Sequence, residues 1–298
     1  MTAAAMLLAG ATSSCNTTEK SPYPGYEKTA DGLYYKFHEK CDGETPKIGD
    51  LMEVGIHCTV NDSVDIIPNM KNMMQLMEPL FAGDIFAGLS MMHKGDSASF
   101  IVNIDSTFIK MYRQPSLPAE FKPTDILRYD IRMNDFFPEI VYLQRIAHDI
   151  QERNAERIAN IKSSYPEETV KAAKALETYM QKNGIVAEPT ESGLCYVTTE
   201  EGTGEKPEVG RMVKVHYTGK LLDGTVFDSS IERGEPIAFH LGVGRVIPGW
   251  DEGIGMMRKG EKGVLYIPYY LAYGESGSGE MIPPFSNLMF EVELVDFE

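Results

Sequence analysis

The chain carries one pattern twice along its length, and this repeat limits the folds open to it more than any single motif does. Four pairs of segments match in the same order. The matched pairs are residues 31–35 with 192–196, 46–50 with 207–211, 88–96 with 253–261, and 127–131 with 288–292. Four matches in register are too many for chance, so the sequence predicts two modules of one fold rather than a single large core.

Alternating apolar residues predict β-strands in both modules, because side chains two residues apart share one face of a strand. The apolar positions are Val213, Val215 and Tyr217, then Phe290, Val292 and Leu294, and in the first module Leu127, Tyr129, Ile131 and Met133. The segment from Trp250 to Met257 is instead typical of one short helix, and Gly260 follows it as a C-terminal signal. Both modules should therefore be mostly strand.

Length and charge exclude several classes of protein. A chain of 298 residues is long enough for two ordinary domains with a connector. The net charge of −16 and the absence of a basic stripe argue against a nucleic-acid partner, since phosphates must be neutralised by clustered Lys and Arg. An acidic balance favours solubility and identifies no partner.

The N-terminal residues have the pattern of a bacterial lipoprotein signal. Residues 1–14 are small and apolar, and they end at Cys15, which a polar segment follows. We therefore expect residues 1–15 to be a signal peptide, Cys15 to be lipidated, and residues 16–28 to be a linker in the bacterial cell envelope, periplasmic or at the outer membrane. An unstructured tail is the alternative. No later stretch has the ~20 apolar residues of a spanning helix, so only this end would attach to a membrane.

The remaining cysteines and the histidines predict neither a disulfide framework nor a metal site. Cys41, Cys58 and Cys195 are odd in number and widely spaced, and buried thiols are the expected outcome. The six histidines show no metal-ligand spacing. We expect no metal and no cofactor.

The segment between the modules predicts two amphipathic helices. Apolar residues recur at three- and four-residue spacing at Ile140, Leu143, Ala147, Ile150, Ile158 and Ile161. A break at Ser164-Tyr165-Pro166 starts a second helix with an acidic first turn. Its predicted apolar stripe is Val170, Ala173, Leu176 and Met180, and Gly184 ends it. The stripes would pack on a neighbouring module or, alternatively, form a homodimer.

Five motifs in the second module carry a specific resemblance. They are Val215-His216-Tyr217-Thr218-Gly219, residues 223–230 (Asp-Gly-Thr-Val-Phe-Asp-Ser-Ser), residues 246–253 (Val-Ile-Pro-Gly-Trp-Asp-Glu-Gly), Ala272-Tyr273-Gly274 and Ile282-Pro283-Pro284. From about Glu191 to Phe297 this pattern resembles the FK506-binding-protein (FKBP) family of peptidyl-prolyl cis/trans isomerases. The resemblance implies an α+β fold in which each module is an antiparallel sheet curled around a short helix.

With that resemblance, the chain divides into five predicted parts. After the signal peptide and the linker, residues 29–138 form a degenerate FKBP-like domain. Residues 139–186 form the helical connector, and residues 187–298 form the isomerase domain.

The chemistry of such an enzyme needs neither a nucleophile nor a metal. Resonance gives the peptide C–N bond a rotational barrier of ~18–20 kcal/mol, and isomerisation before proline takes tens of seconds. A catalyst can exclude water from the amide and hold the twisted geometry by complementary contacts. An apolar bowl with a few polar groups is sufficient.

The resemblance implies a role for each residue of that bowl. Trp250 would form the floor under the proline ring, and the walls would be Tyr217, Phe227, Phe239, Val246, Ile247 and Phe290. The phenol of Tyr273 and the backbone N–H of Ile247 would bind carbonyls beside the proline. Asp228 would bond Tyr217 or Arg233 and orient the site without transferring a proton. Met281 and Ile282 would lie on a loop over the pocket.

Two positions depart from the family pattern. Ile237 stands where a further aromatic residue is common, which makes one wall slimmer. The loop at residues 276–280 (Ser-Gly-Ser-Gly-Glu) is more flexible and more acidic than usual. Both departures would lower affinity for bulky macrolides and shift substrate preference without abolishing catalysis.

The first module lacks this equipment. In register, Ile85 replaces Trp250, Ile56 replaces Tyr217, Phe108 replaces Tyr273 and Val64 replaces Phe227, while Asp65 is the candidate counterpart of Asp228. We therefore predict a module that is not catalytic. Its methionines, Met70, Met73, Met74 and Met77, would fill a core or form an adaptable binding surface.

The sequence thus predicts a lipid-anchored prolyl isomerase that acts on Xaa-Pro segments of unfolded or exported proteins, with an apolar residue preferred before proline. The main alternative is a chaperone or adaptor that binds unfolded clients without turnover. A third alternative is a structural lipoprotein that acts through the connector helices.

Overall fold

The computed structural model describes residues 21–298, so Cys15 and the predicted signal peptide lie outside the described residues. The described chain forms two units, one that ends at Phe137 and one that begins at Pro138. The helices predicted as a connector belong to the second unit. No helix within residues 21–298 is both long and apolar enough to cross a bilayer.

The first unit is a six-stranded antiparallel sheet with short helices. The order of its strands across the sheet is β1-β2-β5-β6-β3-β4. Its elements are β1 (Glu27–Lys28), β2 (Tyr34–Glu39), β3 (Leu51–Val60), β4 (Val64–Gln75), α1 (Ile85–Leu89), β5 (Ser97–Asn103), α2 (Ile104–Ser106), a π-helical turn (Thr107–Met111) and β6 (Ile126–Phe137).

The second unit places two long helices before another antiparallel sheet. The order of its strands is β10-β8-β12-β11-β7, and β9 pairs with β8. Its elements are α3 (Glu139–Ser164), α4 (Pro166–Lys182), β7 (Cys195–Glu200), β8 (Met212–Leu221), β9 (Val226–Ser229), α5 (Ser230–Arg233), β10 (Ile237–His240), α6 (Pro248–Met256), β11 (Lys262–Ile267), a 3₁₀ turn (Tyr269–Leu271) and β12 (Leu288–Phe297).

The two sheets share one topology, as the internal repeat predicts. Reversing the second order gives β7-β11-β12-β8-β10, which matches β2-β5-β6-β3-β4 strand for strand. The register agrees as well, because Tyr217 pairs with Val292 and the equivalent Ile56 pairs with Ile131. The predicted α+β fold with two antiparallel sheets is confirmed.

The alternating apolar residues of each sheet are buried against one short helix. In both units a glycine of that helix faces the sheet. A Cβ on Gly253 of α6 would lie 2.5 Å from Cδ2 of Leu265 on β11, so only glycine lets the helix approach this closely. The equivalent Gly88 of α1 would bring its Cβ to 2.5 Å from Phe100 on β5. The same close packing of helix on strand therefore recurs in both units.

Helices α3 and α4 pack on the sheet of their own unit. Ile161 and Ala172 join the main core, and Leu176 and Met180 cover a second cluster with Tyr266. The side chain of buried Asn287 joins α4 to the segment before β12, since its Oδ1 accepts from the Tyr269 N–H at 3.1 Å and its Nδ2 donates to the Ala172 carbonyl at 2.8 Å. The helices are thus part of the domain they precede.

The predicted stripe of α4 was wrong at two positions. Val170 is 69% exposed and Ala173 also faces solvent, whereas Ala172, Leu176 and Met180 are buried. These three residues are four apart and define a single stripe. Val170 and Ala173 fit the helical spacing but lie beside the surface that contacts the sheet, and both are exposed.

The units differ most at the sheet edge that lies beside β3 in the first unit and beside β8 in the second. In the second unit the edge is interrupted, as β9, α5 and β10. In the first unit one uninterrupted strand, β4, takes its place. The candidate pairing of Asp65 with Asp228 was therefore wrong: Asp228 lies opposite Gly219, and Ile67 lies opposite the equivalent Cys58. Asp65 instead contacts His57, at 2.8 Å from its Nε2.

The methionines and cysteines are only partly buried. Met74 packs against the core of the first unit, but Met70, Met73 and Met77 are exposed, so core filling was wrong for these three. Cys58 and Cys195 are buried free thiols as expected, whereas Cys41 is half-buried.

The seat of α6 on β11 gives a testable prediction. Gly253→Ala should destabilise the second unit by about 1–3 kcal/mol, because the new methyl must displace Leu265 or the backbone. Gly255→Ala on the same helix is the matched control, since its Cβ would meet Leu241 at an ordinary 3.8 Å. The control should be neutral or slightly stabilising. Urea unfolding followed by the fluorescence of Trp250, the chain's only tryptophan, reports on this unit. Equal stability of the two variants would contradict the close packing.

Candidate active site

A cavity of about 450 Å³ opens in the second unit between the sheet, α6 and the segment after β11. Aromatic and aliphatic side chains form most of its wall. Its lining residues are Tyr217, Phe227, Asp228, Ile237, Arg245, Val246, Ile247, Trp250, Tyr273, Ser278, Gly279, Glu280, Met281, Ile282 and Phe290. The elements β8, β9, β12 and α6 thus direct side chains toward one space.

Trp250 lies at the bottom of this cavity. Its side chain is only 4% exposed, and its ring meets those of Tyr217 and Phe290 edge to face, at centroid distances of 4.9 and 5.2 Å. Gly249, just before it, lets α6 sit close to β11, since a Cβ there would lie 2.6 Å from Ile267. The indole Nε1 is buried with no acceptor among residues 21–298. An unpaired buried donor costs free energy, so stability alone does not account for this ring.

The position of Phe227, which β9 contributes to the cavity wall, depends on the absence of a side chain at Gly219. Phe227 stacks edge to face on Phe290 at 5.5 Å, and a Cβ on Gly219 would lie 2.5 Å from the Phe227 ring. Any other residue at position 219 would push the ring away. Gly219 therefore allows Phe227 to form the side of the cavity.

Ile247 places a backbone donor at the rim. It is the N-cap of α6, with Pro248 as the first helical residue. Its N–H donates to no acceptor within the described chain. The first N–H groups of a helix have no partner in the helix and carry its partial positive charge. This end of α6 can therefore donate to a carbonyl in the cavity.

Asp228, one of the two acids that line the cavity, is held by two donors. The hydroxyl of Tyr217 donates to Oδ2 of Asp228, and Nη1 of Arg233 pairs with Oδ1. Nη2 of Arg233 also donates to the Tyr217 hydroxyl at 2.8 Å, which closes a triangle. Ser230 fixes the segment, since its buried Oγ accepts from the Tyr217 N–H at 2.8 Å. Asp228 thus contacts both partners that were expected for it.

The pKa shifts in this triangle favour a fixed acceptor over a proton carrier. Burial raises the pKa of the Asp228 carboxyl, but hydrogen bonds from Tyr217 and Arg233 outweigh it and keep that pKa below its usual value. Burial and the bond to Asp228 raise the pKa of the Tyr217 phenol. At neutral pH the acid stays charged and the phenol stays protonated.

Tyr273 supplies a second phenol to the cavity. It follows the 3₁₀ turn, lines the cavity and keeps 39% of its surface exposed. Burial, and secondarily the charge of Asp228, raise the pKa of its phenol. The hydroxyl therefore remains a hydrogen-bond donor.

Two backbone hydrogen bonds within the loop over the cavity hold its two sides together. The Ser278 N–H donates to the Ile282 carbonyl at 2.8 Å, and the Ile282 N–H returns a bond to Ser278 at 3.1 Å. Gly277, at φ +69°, makes this turn possible, because a Cβ there would lie 2.2 Å from the Ile282 oxygen. Ile282 is buried beneath the loop and Met281 is exposed on it.

The structure gathers ten of the twelve predicted site residues around the cavity. Phe239 does not line it; it lies behind the floor, with its ring 5.9 Å from that of Trp250. Arg233 contacts Asp228 and Tyr217 and is also absent from the lining. Sequence reasoning missed Arg245, whereas Glu280 belongs to the acidic loop that was expected over the pocket. Arg245 directly precedes the Val246-Ile247 pair, which is the one signal that pointed to it.

A second acid, Asp251, holds the segment that leads into Ile247. Its carboxylate accepts from the Gly242 N–H at 2.8 Å and from the Gly244 N–H at 3.2 Å. Burial raises the pKa of this carboxyl to about 6, against the two backbone bonds, which lower it. The position of Asp251 in the first turn of α6 also favours the charged form of its carboxyl.

The cavity offers donors and apolar surface rather than a nucleophile. Among residues 21–298, no group of three His, Cys, Asp or Glu could hold a metal ion. The cavity contains no serine, cysteine or lysine bonded to a base; its single serine, Ser278, has its backbone tied to Ile282. Such a site can bind, orient and desolvate a polar group of a ligand without nucleophilic attack on it.

The buried Asp251 carboxyl gives a prediction for pH. Because its folded pKa lies above the unfolded value of 3.8, the folded chain takes up a proton first as pH falls. The free energy of unfolding of the wild type, measured relative to Asp251→Asn, should therefore decrease by up to about 2 kcal/mol as pH rises from 4 to 6. Trp250 fluorescence during urea unfolding measures it.

The control for this titration has the opposite sign. The Thr225 N–H lowers the pKa of exposed Asp223, so the stability of the wild type relative to Asp223→Asn should not fall over the same range. A constant difference between wild type and Asp251→Asn from pH 4 to 6 would contradict the raised pKa of Asp251.

Comparison with known proteins finds relatives of the second unit. The family model of the FKBP-type peptidyl-prolyl cis-trans isomerases matches residues 203–295. FK506-binding protein 2 of Yarrowia lipolytica is 60% identical over 102 residues, 34% of this chain and 70% of that protein. An FK506-binding protein of Neisseria meningitidis is 50% identical over 103 residues, 35% of this chain and 94% of that protein.

A longer match reaches into the helices. The FKBP-type peptidyl-prolyl cis-trans isomerase FkpA of Aeromonas hydrophila is 41% identical over 179 residues, 59% of this chain. The match spans 62% of that relative, which is less than two thirds of its length. Together with the cavity described above, these relatives show that the chain belongs to the FKBP-type peptidyl-prolyl cis-trans isomerase family.

Proposed function

We propose that the second unit catalyses cis/trans isomerisation of Xaa-Pro bonds in unfolded or exported polypeptides. The carrying observation is the cavity over Trp250, whose walls are apolar and whose rim holds donors without protein partners. The family relationship supports the reaction class. The substrate class rests on the shape and chemistry of the cavity.

Desolvation supplies the first part of catalysis. The planar amide owes its barrier of ~18–20 kcal/mol to a resonance form with separated charge, which water stabilises. A proline ring seated on Trp250, between Phe227 and Phe290, would leave its imide bond against apolar walls. The twisted state has less charge separation and loses less on desolvation, so the barrier falls.

Oriented donors supply the second part. Ile247 and Tyr273 both line the cavity, so the N–H of Ile247 and the hydroxyl of Tyr273 can each bind a carbonyl next to the proline. Holding the chain on both sides of the rotating bond selects the twisted geometry. No covalent bond forms or breaks, and Asp228 acts through Tyr217 and Arg233 by fixing their positions.

The walls also set the substrate preference. Ile237, Val246 and Ile282 surround the space beside the proline seat with aliphatic surface. An apolar residue before proline would bury its side chain there at ~25 cal/mol per Å². Because Ile237 is smaller than an aromatic ring, this side of the cavity also accepts larger residues.

The location and assembly of the protein are further proposals. We infer a lipid anchor at Cys15, a place in the bacterial envelope and a partner in exported proteins, on the pattern of residues 1–20. Globomycin-sensitive processing in the native host would test the anchor. A homodimer through α3 and α4 would have to use surface that remains after both helices pack on their own sheet, and the solution mass of the chain would test it.

The triangle at Asp228 gives the main prediction for activity. Asp228→Ala leaves Tyr217 and Arg233 without their shared acceptor, and a lost bond to a charged group costs ~1.5–3 kcal/mol. We expect kcat/KM for a short proline peptide to fall by about 10–100-fold in a protease-coupled assay. Asp223→Asn, in an exposed turn outside the cavity, is the control and should keep full activity. Retained activity in Asp228→Ala would contradict the proposed role.

A second candidate function, holding unfolded clients, is favoured by the edge of the first sheet. Strand β4 is terminal in its sheet and pairs with β3 alone. Its other side presents backbone groups over 12 residues, and Met70, Met73 and Met77 at or near it are 46%, 37% and 44% exposed. Such an edge can add an extended chain as a further strand, and flexible methionines adapt to varied side chains.

This second function has its own test. The double variant Met70→Lys/Met73→Lys should lose most of the ability of the full chain to suppress aggregation of an unfolded client, measured by light scattering. The matched control is Val170→Lys/Val186→Lys, which places the same two charges on exposed apolar positions of the second unit. Equal suppression by wild type and the double variant would rule out the β4 edge as the holding surface.

A further inference from the structure

A second cavity lies next to the first, and the ring of Tyr273 separates the two. It measures about 590 Å³ and lies between α3 and the segment after the 3₁₀ turn. Its lining residues are Arg153, Glu156, Arg157, Asn160, Ile161, Ser164, Tyr165, Tyr273, Glu275 and Ser276. Tyr273 lines both cavities, so its phenol separates the aromatic cavity from one that is mainly polar.

Helix α3 is held firmly at this point. Ile161 is buried in the core of the second unit, and its Cδ1 would lie 3.6 Å from a Cβ on Gly274, the residue after Tyr273. Tyr165 packs its ring on Phe285 at 5.1 Å, just beyond the loop over the active site. The wall that α3 provides is therefore positioned by packing and does not depend on a mobile side chain.

The polar residues on this wall share one face of the helix. Arg153, Arg157 and Asn160 follow at intervals of four and three residues, which places them in one row. Arg153 bonds a carbonyl of its own helix, that of Asp149, at 3.3 Å. Arg157 makes no ion pair or hydrogen bond within the described chain. Its guanidinium thus keeps five donors for a ligand.

The charges in this second cavity differ in burial. Glu156 and Glu275 also line it, but both are exposed, and neither lies within ion-pair distance of an arginine. Arg157 is half-buried, where water screens a charge less. The planar guanidinium also matches a carboxylate with two parallel bonds. Arg157 should therefore dominate the choice of ligand.

We propose that this second cavity is a subsite for the substrate chain beyond the Xaa-Pro bond, in which Arg157 selects an acidic side chain. The proposal rests on the proposed isomerase function. An extended chain advances ~3.3–3.6 Å per residue, so about two residues carry it past the ring of Tyr273. The selected residue is thus two or three positions from the proline, and α3 becomes part of the specificity of the enzyme.

The test compares charge preference in long and short substrates. Octapeptides with one central Xaa-Pro bond carry Glu or Lys two or three positions from the proline, on either side. For the full-length wild type at low salt, we expect one of these positions to favour Glu over Lys by about threefold to tenfold in kcat/KM. Tetrapeptides that end before this position should show no preference.

Variants identify the residue responsible. Arg157→Glu should reverse the preference, so that the Lys peptide becomes the better substrate, and Arg157→Gln should bring the ratio close to one. Lys174→Glu on exposed α4, outside both cavities, makes the same charge change and should keep the wild-type ratio. Urea unfolding followed by Trp250 fluorescence shows whether each variant folds.

The outcomes separate this proposal from the isomerase assignment. An unchanged Glu-to-Lys ratio in folded Arg157→Glu overturns the subsite, and so does a wild-type preference for Lys, which would assign selection to Glu156 or Glu275. Wild type that fails to accelerate even neutral peptides overturns the proposed function itself. Acceleration without charge preference leaves the function standing and removes the subsite.

Discussion

The close seat of α6 on β11 is the constraint on which the rest of the site depends. Two glycines, Gly249 and Gly253, face Ile267 and Leu265 where any Cβ would collide with them. With the helix this close to the strand, Trp250 is brought to the bottom of the sheet's curl and Ile247 to its rim. The side chains of β8, β9 and β12 that line the cavity therefore surround a floor, Trp250, whose position is set by the packing of α6 on β11.

The first unit keeps the close packing of helix on strand but lacks the segments that form the cavity wall in the second unit. The first unit keeps the helix seat, through Gly88 and Phe100, and the same order of strands. It replaces β9, α5 and β10 with one continuous strand, and Ile67 takes the ladder position of Asp228. The fold therefore survives without the acid, both phenols and the indole, since none of them is needed to pack the sheet. What the first unit gains instead is a long exposed edge at β4.

The strands and their topology could largely be predicted from the sequence, because hydrophobic alternation and the order of repeated motifs can be read along the chain. Alternation located the strands, and the repeat fixed their common topology. The failures were positions decided by tertiary contact. Val170 has helical spacing but faces away from the sheet, and Phe239 lies behind Trp250 rather than beside the cavity. Asp65 was misplaced because an uninterrupted strand shifts its register relative to β9.

The contribution of α3 could not be predicted at all from spacing alone. Its apolar stripe indicated packing, but not against which surface, and Arg157 looks like any solvated residue of a polar helix face. The position of Tyr273 between two cavities connects that helix to the site. A domain boundary drawn at the end of the helices would therefore separate residues that share a surface.

The central claim is that the proline ring of a substrate sits on the indole of Trp250 while its imide bond rotates. The most direct measurement is nuclear Overhauser contact between a saturating Xaa-Pro peptide and the protons of the chain's only indole, under conditions where cis/trans exchange is accelerated. Contacts from the proline ring to Trp250 are expected in both isomers. Accelerated exchange without any such contact would place the reaction elsewhere and overturn the role of Trp250 as the floor of the site.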